Sequence, residues 1–427
     1  MFKNYIQKKL ERYVSKYLQK HPDIKVIAVA GSVGKTSTKI AIGTVLTERF
    51  RVRLHEGNHN AEVSAPLAIL GIEYPDNIRS IGSWLEVFSA ARRRIREPSD
   101  VDVIVQELGT DRIGQIPHFG TYVRPYLSVI TAVSPEHMEF FGTLDAVARE
   151  ELAAANYSEH ALISRDNING EYAQYLTNPN VNTYGNTDAA EYHFIEEDFT
   201  IDTGFSGSLK VLEWADPLHV TLKLVGEHSI RAAIAAAAVA AKLGMTPDEV
   251  ARGLSNVKPV PGRMNVLRGL EDSIIIDDSY NSSPLAAVAA IQALYGLSVP
   301  QRIAVLGSMN ELGSASAAEH EALGKLCDPS QLAHVVTVGA DAEAYLAPAA
   351  RARGCHVVSF KSALEAGGYV HKVLEPKAAV LFKGSQGNVY LEEAVKVILH
   401  TTEEDHSLVR QSPQWLEIKN RFFSELS

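Results

Sequence analysis

Two glycines, a lysine and three hydroxyl residues stand together in Gly31-Ser32-Val33-Gly34-Lys35-Thr36-Ser37, a combination suited to holding phosphate. A lysine behind the second glycine can reach the outer phosphates of a nucleotide. The hydroxyl of Thr36 can ligate Mg2+. Backbone amides of such a turn, placed at the start of a helix, favour an anion. Val29 occupies the position where the general pattern has its first glycine. The stretch is therefore either a shortened phosphate loop or a strand-to-helix turn carrying a surface lysine.

Four other polar clusters follow apolar runs. Glu107 comes after Val103-Ile104-Val105-Gln106, and His137 lies in Ser134-Pro135-Glu136-His137-Met138-Glu139 beyond a run ending at Thr131. Asp277-Asp278-Ser279-Tyr280-Asn281 follows Ile274-Ile275-Ile276, and Lys383-Gly384-Ser385 follows Val380-Leu381-Phe382. Carboxyl ends of parallel strands are where open α/β sheets hold ligands. Singly, each cluster has a plain structural reading: acidic residues cap helices, a lone histidine is usually structural, and a lysine before glycine is often solvated. Occurring together beside a phosphate loop, they favour one nucleotide-handling site.

The elements that must position these residues are legible as alternating short strands and helices. Val26–Ala30 reads as a buried strand and Thr38–Leu46 as the helix after the loop. Val103–Gln106, Leu127–Thr131 and Ala161–Ser164 read as further strands with helical stretches between them, the signature of a mostly parallel α/β sheet. Residues 191–225 change character, with three short strands separated by Gly, Asp and Pro that suggest an antiparallel addition. The alanine-rich helix Ile230–Leu243 reads as buried on several sides. Val257-Lys258-Pro259-Val260-Pro261-Gly262-Arg263 marks a boundary, beyond which a second α/β series begins. The predicted organisation is a basic helix within 1–24, a central ATP-binding domain over 25–261, and a Rossmann-like α/β domain over 262–427. The tail 401–427 gives no clear pattern.

The 427 residues exceed one ordinary core, and 46% apolar with 22% charged residues is the composition of a globular protein. A net charge of −10 argues against broad nucleic-acid binding. Cys327 and Cys355 are too few for a disulfide framework, so a reducing cytoplasm is the expected home, and no apolar stretch reaches membrane-spanning length. Residues 1–21 place apolar side chains at helical spacing among Lys3, Lys8, Lys9, Arg12, Lys16 and Lys20. Such a helix packs its apolar stripe on the following domain, or it contacts an acidic membrane surface or a partner protein.

From the phosphate loop to Lys383 the chain resembles the Mur ligase family of ATP-dependent amide-forming enzymes. The resemblance rests on Gly31–Ser37, Gly57-Asn58-His59-Asn60, Glu107-Leu108-Gly109, His137 with Phe141-Gly142, Pro261-Gly262-Arg263, Asp277–Asn281, Leu306–Gly313 and Lys383-Gly384-Ser385, in family order. It implies that ATP activates a carboxylate as an acyl phosphate, which an amine then attacks. In that scheme Gly31, Ser32, Gly34, Lys35, Thr36 and Ser37 hold the phosphates, and Thr36 with Glu107 serves a first Mg2+. His137 serves a second. Arg263, Asp278, Tyr280 and Asn281 bind nucleotide, Asn58 and Asn60 contact substrate, and Lys383 faces the amine or the intermediate. The implied partners are a muramyl-peptide-like carboxylate and a D-alanyl-D-alanine-like amine.

Two departures stand out. About two dozen residues precede the first strand, where family members using UDP-linked substrates carry a UDP-binding module. The family's carbamoylated lysine, a source of a negative oxygen for the second Mg2+, aligns with Glu151, and no lysine lies between His137 and Asn167. Glu151 then either supplies that oxygen directly or is a solvated helix residue. Ala61, Ser64, Ser229 and Ala232 also replace residues of close relatives, which bears on substrate and base contacts. A ligase acting on another carboxylate and a nucleotide-binding subunit without catalysis are the alternative readings.

Overall fold

The computed structural model describes residues 2–55 and 62–426. The chain forms two compact units: Met1–Ser134, Phe140–Lys223 and Ile230–Val257 in the first, and Pro135–Glu139, Leu224–Ser229 and Lys258–Ser427 in the second.

The first unit is built on a nine-stranded sheet. Its strands are β1 (Lys25–Ala30), β2 (Val52–Leu54), β3 (Val103–Glu107), β4 (Leu127–Ile130), β5 (His160–Ser164), β6 (Val181–Gly185), β7 (Tyr192–Thr200), β8 (Gly204–Lys210) and β9 (Leu218–Leu222), in the spatial order 2-3-1-4-5-6-7-8-9. Pairings from β2 through β7 are parallel, and β7 to β9 run antiparallel. Strand β1 lies between β3 and β4 with both faces covered, which is why Val26 to Ala30 form an unbroken apolar run rather than an alternating one. Its register sets Val29 opposite Glu107 and Ala30 opposite Ile130, so the phosphate loop, Glu107 and Thr131 emerge at one sheet edge.

The helix Phe2–Lys20 buries Ile6, Leu10, Val14 and Tyr17, so its apolar stripe does pack on the first unit. The short strands β2, at one edge of the sheet, and β6, between β5 and β7, were not legible in the sequence, because neither carries more than a few apolar residues.

The second unit holds a six-stranded sheet: β10 (Asn265–Arg268), β11 (Ile274–Asp278), β12 (Arg302–Gly307), β13 (His334–Val338), β14 (Val357–Phe360) and β15 (Ala379–Lys383), ordered 10-11-15-12-13-14. Only β10 is antiparallel to its neighbour, and β15 returns between β11 and β12. That insertion sets Lys383 opposite both Asp278 and Leu306. The tail is not featureless. Arg410 and Lys419 are buried and reach the fully buried Glu392, with Arg410 donating at 2.8 and 2.6 Å and Lys419 lying at 3.4 Å. Charges spaced along a polar tail gave no hint of burial, because the carboxylate they share lies elsewhere in the sequence.

Candidate active site

In the first unit the loop after β1 turns through Gly31 at φ +123° and Gly34 at φ +84°, and Gly34 precedes the helix Lys35–Leu46. Both angles favour glycine. A Cβ on Gly31 would also run into Thr131 Oγ1 and lie 2.8 Å from the backbone nitrogens of Thr131 and Ala132. Ser32 N donates to Ala132 O at 2.9 Å, and Ser32 Oγ accepts from Ser134 N at 3.0 Å, which pins the loop to the segment after β4. Lys35 Nζ folds back to donate to the carbonyls of Gly31 and Ser32.

Thr36 Oγ1 donates to Glu107 Oε2 at 3.0 Å, both groups buried. The same carboxylate oxygen lies 3.4 Å from Lys39 Nζ, which also donates to His55 O at 3.1 Å. Lys39 was missed in the sequence. Its signal was a lysine one turn beyond Lys35 on a helix face that must bury.

Glu151 is not solvated. Its Oε2 accepts from Gly31 N at 2.6 Å, and the residue is 1% exposed. The helix Leu144–Tyr157, N-capped by Thr143, carries it there. The adjacent Glu150 has a different task, accepting from Gly114 N and Ile116 N at 2.7 Å each at the start of the helix Gln115–Phe119. Neighbouring residues of one helix thus serve two different turns.

The second unit gathers the remaining candidates into two groups. His137 has φ +49°, and its Nδ1 lies 2.9 Å from Glu311 Oε2, while Met138 N donates to Glu311 O at 3.1 Å. Lys383, 2% exposed, pairs with Asp278 Oδ2 at 3.0 Å and donates to the Asn281 carbonyl. Asp278 Oδ1 accepts from Met264 N at 3.2 Å. The Arg263 guanidinium sits 4.3 Å from the centre of the Tyr280 ring. Tyr280 and Ser279 are themselves held by carbonyl bonds from Arg410 at 2.9 and 2.8 Å. Burial raises the carboxyl of Asp277 to about 6, against two stabilising bonds from Ser279. Ser385 Oγ accepts from Asn310 N at 2.8 Å, tying the loop after β12 to that after β15. Asn58 and Asn60 lie outside the described residues.

Each cluster uses one unit's own strand ends. The first combines a lysine, a hydroxyl and carboxylates around a glycine turn; the second combines a stacked arginine with a buried lysine and aspartate.

Domain-family models match both halves: the Mur ligase middle domain over residues 29–240, and the Mur ligase glutamate ligase domain over residues 262–386. The chain belongs to the Mur ligase family. This Mur ligase is an ATP-dependent amide-forming enzyme by class. It is 27% identical over 397 residues to the UDP-N-acetylmuramoyl-tripeptide–D-alanyl-D-alanine ligase of Bacillus subtilis (strain 168), covering 92% of this chain and 79% of that protein. Its likeness to the enzyme of the same name from Escherichia coli (strain K12) is 28% over 335 residues, covering 75% of this chain and 66% of the other. Among solved structures, MurF from Acinetobacter baumannii superposes with a TM-score of 0.75 at 23% identity, over 90% of this chain and 79% of that one. Folylpolyglutamate synthase from Mycobacterium tuberculosis gives 0.64 at 18% identity, over 90% and 94%. At those identities the superpositions speak for the fold of the Mur ligase.

Proposed function

We propose that the chain joins D-alanyl-D-alanine to a muramyl-peptide carboxylate, with ATP supplying the phosphoryl group that makes the carboxylate electrophilic. The observation that carries this reading is the Thr36–Glu107–Lys39 cluster beside a glycine turn closed by Lys35, in a chain similar over 92% of its length to an enzyme named for that reaction. A carboxylate is a poor electrophile at neutral pH, and in phosphoryl transfer the protein's share is mainly positioning and charge neutralisation.

The residues present suit that share. Gly31 N and Ser32 N are engaged by Glu151 and Ala132, so the anion-facing amides are those of the first turn of the helix Lys35–Leu46. Lys35 swings from its own loop carbonyls to the phosphates. An all-oxygen pair, the Thr36 hydroxyl and the Glu107 carboxylate, fits a hard cation that keeps several waters, and these two would hold Mg2+. When bound, Mg2+ neutralises charge on the transferring phosphoryl group. Glu151 places a second buried carboxylate at the same turn, a placement that costs energy beside phosphate unless cationic charge lies between them. We assign Glu151, on the first unit, the negative oxygen that relatives obtain from a carbamoylated lysine; His137, on the second, is assigned by the family resemblance alone to serve a metal ion. On the second unit, Arg263 with Tyr280, together with Asp278 and Asn281, is assigned to the nucleotide, and Lys383 to the amine or the tetrahedral intermediate. Dependence on ATP supports a cytoplasmic location.

A second reading keeps the amide ligase and changes the carboxylate. It is favoured by Ser64, Ser229 and Ala232, which replace residues of close relatives and bear on substrate and base contacts. Mass spectrometry of products from a panel of carboxylates and amines distinguishes the two. For the site, Glu151→Gln is expected to lower turnover at least about a hundredfold, as loss of a charge-stabilising group does, and to raise the Mg2+ needed for half-maximal rate. Unchanged turnover and Mg2+ dependence would refute the assignment.

A further inference from the structure

We infer that the paired outer faces of the helices Phe2–Lys20 and Ile81–Arg96 dock the chain on an anionic lipid surface. Charge is sharply segregated: these two helices carry ten of the chain's 41 Lys and Arg residues but only two of its 51 Asp and Glu residues. On the first helix Tyr5, Lys8, Arg12 and Lys16 follow one another at three- and four-residue steps, so they share a stripe, and all are exposed. On the second, Ile81, Leu85, Arg92 and Arg96 line an exposed stripe that flanks the face of the buried Trp84, Val87, Phe88 and Ala91.

The two stripes lie side by side. Lys9 Nζ sits over both the Tyr5 ring, at 5.2 Å, and the Phe88 ring, at 4.1 Å, and Tyr13 meets Phe88 at 6.0 Å between centroids. Arg53 donates to Tyr17 Oη at 3.3 Å and to Asp100, which also accepts from Arg94, so the C-terminal ends of the two helices share one side and their first turns the other, one contributing Phe2 and Tyr5 and the other Ile81 and Leu85. Tyr5 is 58% exposed, Ile81 66% and Leu85 58%, with Ile78 at 58% just before the second helix. The result is an apolar end continuous with a cationic field, in a chain whose net charge is −10. A helix with such faces lies in the lipid interface, apolar side chains among the acyl chains and cations at the headgroups. A nucleic-acid backbone would engage the cations and leave Ile78, Ile81 and Leu85 in water. No helix among the described residues is long and apolar enough to cross a membrane, so the contact is peripheral.

The test is vesicle co-sedimentation of the full chain, with phosphatidylcholine alone and with added phosphatidylglycerol. Wild type is expected to pellet with the phosphatidylglycerol vesicles at low salt and to be released as salt rises. Each lipid-facing cation is worth about fivefold in partitioning, so Lys8→Glu/Arg12→Glu/Lys16→Glu should lose at least about a hundredfold. Ile81→Ser/Leu85→Ser should lose about tenfold or more from the apolar area no longer buried. All these positions are exposed, so thermal midpoints and ADP binding should match wild type and exclude misfolding as the cause. Wild type remaining in the supernatant with both vesicles overturns the inference. So does binding that ignores phosphatidylglycerol, or binding to anionic vesicles unchanged in the Ile81/Leu85 variant. None of these readouts involves turnover, so the inference stands apart from the substrate assignment.

Discussion

Arg410→Met is the most informative single change in the second unit. Its guanidinium donates twice to Glu392, at 2.8 and 2.6 Å, and once each to the carbonyls of Tyr280 and Ser279, at 2.9 and 2.8 Å. Truncating one partner of a buried ion pair costs about 3–5 kcal/mol, because the other charge stays buried. Two carbonyls would also lose donors, at about 1 kcal/mol each. Against that, Lys419 remains 3.4 Å from Glu392 and offsets part of the loss, so about 3 kcal/mol is the net expectation. At about 2–4 °C per kcal/mol for a unit of this size, calorimetry should show the second unit's transition falling by roughly 6–12 °C. The double variant Glu392→Gln/Arg410→Met should recover about a third of that, since Lys419 keeps Glu393 and no buried carboxylate is left short of a cation, while the carbonyls of Tyr280 and Ser279 still lack their donor. The nucleotide KM should rise in the single variant, because Tyr280 loses the bond that orients its backbone. A drop under about 2 °C, or no recovery in the double variant, would refute the claim that this triad holds the tail and the nucleotide segment together.

Three shorter predictions follow from the clusters. Gly31→Ala should abolish ADP binding by calorimetric titration and cost about 3 kcal/mol or more, since the new Cβ meets Thr131 Oγ1 and the backbone at φ +123°. Lys39→Met should destabilise the first unit by about 3 kcal/mol by leaving Glu107 short of a cation, and Mg2+ with ADP should restore more of the thermal midpoint in the variant than it adds to wild type; equal increments would count against Glu107 as a metal ligand. Asp277 has its carboxyl raised to about 6 by burial, so its contribution to stability is present below its unfolded value near 4 and is lost as pH rises through 6. Asp277→Asn, which can still accept both bonds from Ser279, should therefore gain roughly 2–3 kcal/mol at pH 8 and nothing at pH 4 by urea unfolding.

Much of this protein is determined locally. The apolar runs at Val26–Ala30 and Ile274–Ile276 had to be covered strands, because an unbroken apolar stretch of that length satisfies both faces of a parallel sheet. Gly31 and Gly34 had to turn, and the strand ends at Glu107, Asp278 and Lys383 could be assigned to a ligand edge from spacing alone. What tertiary structure decided is which charges meet. Glu150 and Glu151 are neighbours of the same type on one helix, yet one closes the turn at Gly114 and the other the phosphate loop at Gly31, a division set by helix rotation against the sheet. Lys39, Arg410 and Lys419 were not singled out in the sequence, because the pairing that lets a charge be buried depends on a carboxylate 18 to 68 positions away, and single-sequence periodicity carries no record of that pairing.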